Sequence, residues 1–344
     1  MDENCILIDW FSASTRIYDP VSLIDYLGLD YKSFMHIHGF YGYADRLYFG
    51  GISIHYNLMA NDPDHTSVLL EMSGKGCLQF ETSSAISFMQ LFEDVKNGDF
   101  NITRLDVAYD DIDKNGGKGL LDIHKIAQYT LHQRFVSKWS SGEVTDSFKT
   151  NGNYEAMTHA LTVQFGSNQS DIKLRIYDKA QERGGLDYHW VRSEIVFRRE
   201  RALDFIVKCL NGNTIGSLYA GCLRNYLRFI RLDHSRRERC SVIGWWDNFL
   251  NHAEAVKIFT KKDIDYNLDR VCSYVLGQAG NSIMVFLMCY GVEELLNDIV
   301  NRKSELSLNQ RMLVDEFCKD HPELKDDVKN VIEMLSDRRL KKDD

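Results

Sequence analysis

Residues 172–179, with the sequence IKLRIYDK, alternate strictly between apolar and polar side chains. Three aliphatic residues form the apolar side. The other side carries three cations and one phenol: Lys173, Arg175, Tyr177 and Lys179. A period of two residues is typical of a β-strand that buries one face and exposes the other. The segment is therefore predicted to be a strand with a basic, tyrosine-bearing face.

The same reasoning along the chain predicts several groups of strands separated by helices. β-prone or alternating stretches predict strands at 5–11, 47–56, 67–72, 102–110, 135–139, 159–165 and 190–198. Helical spacing predicts helices at 21–27, 84–95 (capped by Ser83 or Ser84), 120–132 and 199–210. Gly50 and Gly51 predict a bulge, and residues 73–76 a turn.

This order indicates an α+β fold: a mixed, largely antiparallel sheet with helices on one face, in an arrangement that two similar halves would produce. From residue 211 onward the character changes. Helices are predicted at 218–229, 245–256, 266–276, 282–300, 308–318 and 324–335. We therefore expect two domains, an α+β domain at 1–210 and an all-helical domain at 211–344.

Several predicted strands place charged residues on their polar side. Residues 103–110 carry Arg104 and Asp106, and residues 190–198 carry Arg192, Glu194 and Arg198. Glu71 ends the strand at 67–72. If these strands are neighbours, Glu71, Asp106 and Glu194 form an all-oxygen site suited to Mg²⁺ or Mn²⁺. The alternative is that the acids simply form ion pairs with arginines across the sheet.

Tyr177 is the candidate nucleophile of this face. Arg175 and Lys179 flank it two residues away on either side, and cations favour a phenolate and attract a phosphate. That combination is what attack on a phosphodiester needs. An exposed basic strand with an inert tyrosine is the alternative. Tyr188 is a weaker candidate because it lies in a Gly-Gly-Leu-Asp loop, and His36 and His38 are a weak metal-ligand pair.

The distribution of charge along the chain is more informative about an anionic partner than the net charge is. The chain of 344 residues carries −9 overall, which does not favour a nucleic-acid ligand. Residues 171–239, however, contain 15 Lys/Arg and 9 Asp/Glu, a net +6 that leaves −15 for the rest. A basic segment within an acidic protein indicates a local anionic partner. Chance clustering on solvated helices would give the same count.

Cysteine usage and the absence of targeting signals bear on location. The eight cysteines form no CxxC pair, which disfavours a zinc ribbon or a redox motif. The chain shows no secretory signal, and the apolar run at 283–290 is too short to span a bilayer. We therefore expect reduced thiols, a cytoplasmic protein and no membrane partner.

Five ordered motifs resemble the replication initiation factor family, the Rep proteins of rolling-circle plasmids and filamentous phages together with relaxases of integrative and conjugative elements. The motifs are YADRLYFGGISIHYN (43–57), LLEMSGKGCLQFE (69–81), TRLDVAYDD (103–111), LRIYDKAQERG (174–184) and WVRSEIVFRRERA (190–202). The resemblance runs from about residue 5 to about residue 257, and the helical remainder matches only loosely.

The resemblance implies a metal-dependent, sequence-specific DNA nickase in residues 1–210. Tyr177 matches the family's tyrosine, which leaves a free 3′-OH and stays joined to the 5′ phosphate. Asp106, Glu194 and, with a less defined role, Glu71 match the family's acids. Lys179 is expected to assist Tyr177, and DNA to contact the four arginines Arg104, Arg175, Arg192 and Arg198.

The expected partner is DNA at an origin of replication or transfer, with a helicase and a second copy of the chain as further candidates. A non-catalytic origin-binding regulator is the alternative function. The tyrosine and acids on one face favour the enzyme, and the net charge favours neither.

Overall fold

The computed structural model describes residues 4–57, 67–150, 157–183, 185–256 and 280–301. The strands are β1 (Cys5–Thr15), β2 (Met35–His38), β3 (Asp45–Phe49), β4 (Ile52–Tyr56), β5 (Val68–Met72), β6 (Asn101–Asp113), β7 (Phe135–Ser137), β8 (Gly142–Thr150), β9 (Met157–Phe165), β10 (Ile172–Asp178), β11 (His189–Arg198) and β12 (Leu227–Phe229). The helices are α1 (Pro20–Leu27), α2 (Gly74–Ser83), α3 (Phe88–Asn97), α4 (Ile123–Leu131), α5 (Lys179–Glu182), α6 (Glu200–Leu210), α7 (Ile215–Tyr226), α8 (Gly244–Ala255) and α9 (Gly280–Asn301).

Ten strands form one sheet in the order β2-β3-β4-β5-β1-β6-β11-β10-β9-β8, and β7 and β12 form a separate pair. Within the described residues every strand pair in the large sheet is antiparallel. The predicted α+β class with a largely antiparallel sheet is confirmed.

The strand order divides the sheet into two halves of the same topology. The central strands β1 and β6 lie side by side, and each is followed by a helix, α1 or α4. Each half then continues as a four-stranded meander that begins at an edge of the sheet and returns to its central strand, β2–β5 in one half and β8–β11 in the other. The two similar halves suggested by the order of predicted elements are thus present in the fold.

One face of the sheet is apolar and carries the helices. Leu105, Val107 and Tyr109 of β6 are buried on this face, as the alternation predicted. Helices α4 and α6 pack on the second half of the sheet, and α1 packs against β4. Tyr219 of α7 donates a hydrogen bond to the carbonyl oxygen of Ser193 at 2.9 Å, which ties that helix to β11. The opposite face is left for polar side chains.

Several local predictions are wrong, each for a recognisable reason. Gly50 and Gly51 have positive φ angles and make the turn of the β3–β4 hairpin, whereas a bulge was expected. The expected turn at 73–76 is instead the start of α2. Helix α3 begins later than predicted, with Ser87 as its cap. Strand β8 was missed because its polar sequence, GEVTDSFKT, has too few apolar residues to show alternation.

The chain separates into two compact units, residues 1–260 and 261–344. Helices α7 and α8 belong to the first unit because they pack on each other and on the sheet's apolar side, so that unit extends well beyond residue 210. Of the second unit only α9 is described, and it is kinked at Gly291. The helices predicted at 266–276, 308–318 and 324–335 lie outside the described residues. No described helix is both long and apolar enough to cross a membrane.

Candidate active site

The register of strands β10, β11 and β6 places the polar residues of the second half on one face of the sheet. Tyr177 on β10 pairs with Arg192 on β11, which pairs with Asp110 on β6. Two residues away, Arg175 pairs with Glu194. Directly opposed residues of antiparallel strands have their side chains on the same face. These groups therefore lie together, opposite the helices.

The Tyr177 hydroxyl lies between an acid and an ammonium group. It donates a hydrogen bond to Oε2 of Glu194 at 3.3 Å, and Nζ of Lys179 donates to it at 3.4 Å. The guanidinium of Arg175 lies 5.6 Å from the centre of the tyrosine ring. The phenol thus has a proton acceptor and a positive charge in place, which a tyrosine nucleophile requires.

The protonation state of Tyr177 differs from the expectation. Burial raises the pKa of the Tyr177 phenol well above its usual value; the charge of Arg192 opposes this shift and the charge of Glu194 adds to it. The expectation that flanking cations favour the phenolate is wrong for the protein without DNA, because lost hydration outweighs their attraction. Tyr177 is a neutral hydrogen-bond donor at pH 7 and needs a base to become a nucleophile.

Lys179 lies just past the strand on which it was expected. Strand β10 ends at Asp178, whose side chain caps α5 by accepting from the backbone N–H of Gln181 at 2.9 Å. Lys179 is the first residue of that helical turn and forms an ion pair with Glu182. Burial, helped by the charge of Arg192, lowers the pKa of the Lys179 ammonium. Its Nζ atom nevertheless donates a hydrogen bond to the Tyr177 hydroxyl.

Asp106 and Glu194 form a carboxyl pair at the centre of the face. Their side chains are hydrogen-bonded to each other, and both are buried. Burial raises the pKa of Asp106 to about 7, and the charge of Glu194 acts in the same direction. Burial also opposes ionisation of Glu194, but the charges of Arg175 and Arg192 and the hydrogen bonds from Arg175 and Asp106 together outweigh it and lower the Glu194 pKa. Near neutral pH the pair therefore shares one proton, held mainly by Asp106.

Two arginines cover this pair and remain partly exposed. Arg104 bonds Asp106 with both prongs of its guanidinium, at 2.8 and 2.5 Å, and its guanidinium lies 4.4 Å from the ring centre of Trp10. Arg175 donates to Oε1 of Glu194 at 2.6 Å. Their side chains are 28 % and 37 % exposed, respectively. Both guanidinium groups are therefore accessible to a ligand on the polar face.

Arg192, in contrast, is a structural residue. Its guanidinium donates to both carboxylate oxygens of Asp110, at 2.6 and 2.7 Å, and to Asp9 at 2.6 Å. Its side chain is only 6 % exposed. These contacts contradict the expectation that Arg192 binds DNA, because its donors are already used within the protein. The sequence reasoning gave Asp9 and Asp110 no role; a lone acid inside the apolar run CILIDWF was the available signal for Asp9.

Arg198 lies at the end of β11, farther from Tyr177. It donates to the carbonyl oxygen of Ser170 at 2.9 Å and is only partly buried. Lys173 also occupies this part of the face and donates to Asn168 at 2.9 Å. Together they extend the positive charge along the sheet away from the carboxyl pair.

Glu71 shares the polar face but belongs to a different cluster. It lies on β5 and pairs with Ser12 on β1, so a whole strand separates it from β6. Its carboxylate is hydrogen-bonded to Tyr41, and Nε2 of His55 lies 4.0 Å away. The prediction that Glu71 joins Asp106 and Glu194 around one ion is therefore wrong.

The remaining candidates have other contacts. Within the described residues no group of three or more His, Cys, Asp or Glu side chains is arranged to hold a metal ion. His36 pairs with Asp45 at 3.0 Å on the β2–β3 hairpin, far along the sheet from β10. Tyr188 lies in the loop before β11 and stacks on Trp190 with ring centres 6.3 Å apart.

Comparison with known proteins matches both halves of the fold. A family model described as replication initiation factor matches residues 100–300, and one described as rolling circle replication initiation protein N-terminal domain matches residues 5–94. A putative DNA relaxase NicK of Bacillus subtilis (strain 168) is 26 % identical over 274 residues, which are 76 % of this chain and 74 % of the relative. The solved rolling circle replication initiator protein from Geobacillus stearothermophilus is 26 % identical with a TM-score of 0.66, covering 75 % of this chain and 99 % of its own.

Proposed function

The chain belongs to the replication initiation factor family, and on that premise we propose that it nicks one DNA strand at an origin by attack of Tyr177, which starts rolling-circle replication or conjugative transfer. The assignment to Tyr177 rests on the position of its hydroxyl, which is hydrogen-bonded to both Glu194 and Lys179 on the polar face. Replication and transfer both begin with this cut, so the same site serves either process.

The chemistry assigns a role to each contact of the tyrosine. Glu194 accepts the phenolic proton as the Tyr177 oxygen forms a bond to the scissile phosphorus. The bond from phosphorus to the 3′ oxygen breaks, and that oxygen takes a proton from solvent to leave a free 3′-OH. The 5′ phosphate stays joined to Tyr177. Lys179 stabilises the charge that develops on the phenolic and phosphoryl oxygens. Attack by a 3′-OH on the phosphotyrosine reverses the steps and joins DNA.

We propose Asp106 and Glu194 as the residues that would hold a divalent cation, Mg²⁺ or Mn²⁺. The donor set fits, since Mg²⁺ is usually bound by one or two carboxylates together with substrate phosphates. The two carboxyl groups are buried next to each other, which places their oxygen atoms at one point of the polar face. Bound there, the ion would neutralise and polarise the scissile phosphate. Glu71 is not part of this donor set.

The proposed DNA track follows the exposed cations of the polar face. Arg104 and Arg175 border the carboxyl pair, and Arg198 continues the positive charge beyond it. Phosphate contacts of this kind fix the position of the strand and make binding depend on salt. A helicase and a second copy of the chain stay candidate partners, and the cytoplasm stays the proposed location.

A nicking assay on supercoiled plasmid carrying the cognate origin tests the proposal. With Mn²⁺ or Mg²⁺ the wild-type protein should convert the plasmid to open circles, and excess chelator should stop the conversion. Glu194→Gln removes the proton acceptor and a cation ligand with little change of shape, so nicking should fall by about 10²-fold or more. Equal activity with chelator would reject the cation, and equal activity of Glu194→Gln would reject the proton acceptor.

A non-catalytic regulator would give a different result in the same assay. It would bind the origin plasmid and leave it supercoiled under every ionic condition. Glu143→Gln is a suitable control for Glu194→Gln, because Glu143 lies on the same face at the outer strand β8, away from Tyr177. This control should nick as wild type does.

A further inference from the structure

A cavity lies on the polar face in the half of the fold that contains β4 and β5, outside the nick site around Tyr177, Asp106 and Glu194. Its volume is about 410 Å³, within the range of pockets that hold one small ligand. The walls combine aromatic rings, hydroxyl groups and two charges, contributed chiefly by Trp10, Ser12, Tyr41, Tyr43, Glu71 and Arg104. Apart from Arg104, none of these residues has a part in the nicking chemistry.

We propose that this cavity is a specificity subsite for one unpaired guanine of the DNA strand, stacked on its aromatic walls and read by Glu71. The inference rests on the proposed function, because it takes single-stranded origin DNA as the ligand. It concerns which base is read, and it assigns no step of the nicking reaction to the cavity.

The topology of the two halves relates this cavity to the nick site. Glu71 pairs with Ser53 on one side and Ser12 on the other. Glu194 occupies the corresponding place in the second half, between Arg175 and Ala108. Each glutamate therefore lies on the last strand of its meander, next to the central strand of its half.

Glu71 has an aromatic neighbour where Glu194 has an acidic one, and this difference favours a different kind of ligand. Asp106 lies two residues before Ala108 on β6, and Trp10 lies two residues before Ser12 on β1. An indole ring is thus the diagonal neighbour of Glu71, and a carboxyl group is the diagonal neighbour of Glu194. A glutamate beside an aromatic ring suits a flat heterocycle with N–H donors, whereas a carboxyl pair suits a cation and a phosphate.

The loop between β2 and β3, with the sequence GFYGYA, adds further aromatic surface. Phe40 is 53 % and Tyr41 70 % exposed, and Tyr41 has a φ angle of 57° that is unfavourable for a non-glycine residue. The strained backbone carries a tyrosine whose hydroxyl bonds Glu71. Exposed aromatic rings are typical of the platforms on which unpaired bases stack.

Glu71 has the hydrogen-bonding capacity that a guanine would use. Burial raises the pKa of the Glu71 carboxyl, and a hydrogen bond from Tyr41 and the charge of Arg104 oppose that shift. Nearby His55 is neutral because burial lowers the pKa of its imidazole to about 4. An ionised carboxylate has two acceptor oxygens and about four acceptor sites. Guanine presents two adjacent donors, N1–H and N2–H, on its Watson–Crick edge. Thymine places carbonyl oxygens on both sides of its only donor and would be repelled.

The cavity is also connected to the nick site. Arg104 lines it and at the same time bonds Asp106 of the carboxyl pair. Four strand spacings separate β5 from β10, roughly 19 Å at 4.8 Å each. A stacked strand with a rise of 3.4 Å per nucleotide covers that distance in about six nucleotides. One strand can therefore occupy both places.

The test measures binding of 12-residue oligothymidylates that carry one dG, dA, dC or no substitution, each placed at successive positions. The protein is the full chain with Tyr177→Phe, so that no cleavage occurs, and the readout is fluorescence anisotropy. At one position dG should tighten binding about tenfold over dT, the size of a good bidentate base contact. Glu71→Gln should reduce this preference to less than twofold, and Glu143→Gln should leave it intact.

Three outcomes would overturn the subsite: no preference for dG at any position, a preference for dA or dC that depends on Glu71, or a dG preference that Glu71→Gln leaves unchanged. Tyr41→Ala serves as a second variant, because an exposed ring can be removed without unfolding the protein. It should weaken binding of the dG oligonucleotide. The nicking assay separates the two proposals, since a dG preference without nicking would reject the proposed reaction and leave the subsite standing.

Discussion

Two aspartates on the same side of β6, Asp106 and Asp110, are both buried but have opposite pKa shifts. Burial acts on both carboxyls. Asp106 also faces the negative Glu194, and its pKa rises to about 7. Asp110 instead accepts two hydrogen bonds from Arg192. These bonds and the charge of Arg192, with smaller contributions from Trp190 and Lys179, together outweigh burial and lower the Asp110 pKa. The partner across the strand therefore decides which carboxyl can hold a proton at neutral pH.

These shifts predict opposite effects of pH on stability for Asp106→Asn and Asp110→Asn. A carboxyl whose pKa is raised in the folded state favours folding at low pH, and that contribution is lost as the pH rises from about 4 through about 7. Asp106→Asn should therefore gain stability relative to wild type between about pH 5 and about pH 8. The free energy of unfolding in urea measures the change.

Asp110→Asn should behave in the opposite way. A lowered pKa contributes stability above the unfolded value, and this is lost as the pH falls through the folded value. The variant also leaves Arg192 short of a buried partner, so it should lose about 3–5 kcal/mol at neutral pH. That deficit should shrink below about pH 4. If the free energies of unfolding of the two variants, relative to wild type, changed with pH in the same direction, the assigned protonation states would be contradicted.

A second prediction at this scale compares an arginine on the polar face with an equally exposed arginine on the helical side of the sheet. Arg175→Ala removes a partly exposed cation on the proposed DNA track, so the slope of log affinity against log salt should fall by roughly one. Arg224 of α7 pairs with Glu254 on the helical side of the sheet, and Arg224→Ala should leave the slope unchanged. Fluorescence anisotropy with origin DNA at several salt concentrations gives both slopes. An unchanged slope for Arg175→Ala would remove Arg175 from the track.

At the residue scale, the sequence predicts on which face of its strand a side chain lies, but not which side chains it contacts. Alternation predicts that Tyr177 and Arg175 share the polar side of one strand and that Glu194 lies on the polar side of another. Alternation does not predict that Arg192 forms ion pairs with Asp110 and Asp9, because strand neighbours and register are not visible in a single sequence. It also could not show that burial would override the cations around Tyr177, since burial depends on the assembled sheet.

At the scale of elements, the N-terminus of α2 packs directly on the turn of the β3–β4 hairpin. A Cβ atom on Gly76 would lie 2.2 Å from the carbonyl oxygen of Gly51, which leaves no room for a side chain. Gly51 itself has a φ of 97°, a conformation that favours glycine. The glycines in these two motifs therefore allow a helix and a hairpin turn to touch through their backbones.

Gly76→Ala should consequently lower the free energy of unfolding by about 1–3 kcal/mol, because a backbone has to move to admit the methyl group. Gly221 in α7 has no atom within 4 Å of a built Cβ, so Gly221→Ala is the matched control. It should raise stability by up to about 1 kcal/mol through helix propensity. Urea unfolding measures both. Equal effects of the two substitutions would contradict the close approach.

Elements were predictable where their pattern was strong. Strands β1, β6, β10 and β11 follow clear apolar or alternating runs and were placed nearly correctly. The GKG segment predicts a turn because glycine usually ends regular structure. In the structure it begins a helix whose first turn approaches another backbone. The spacing of residues 218–229 predicts one helix, but α7 ends at Tyr226 and the chain continues as β12.

At the scale of the whole molecule, two halves of the same topology carry different chemistry on one continuous face. The half that contains β10 and β11 holds the tyrosine and the carboxyl pair. The half that contains β4 and β5 also has a glutamate on the last strand of its meander but surrounds it with aromatic rings. The sequence hinted at this repetition only through the order of its elements, because the two halves no longer share residues that align by inspection.

The central claim is that Tyr177 becomes covalently joined to DNA. Labelled origin DNA, incubated with each protein variant and run on a denaturing gel, should show a protein-linked band for wild type and for Tyr188→Phe. Tyr177→Phe keeps the ring and loses only the hydroxyl, so it should still bind the origin but form no linked band. Mass spectrometry of the digested adduct should place the nucleotide on Tyr177. An adduct formed by the Tyr177→Phe protein would contradict this account.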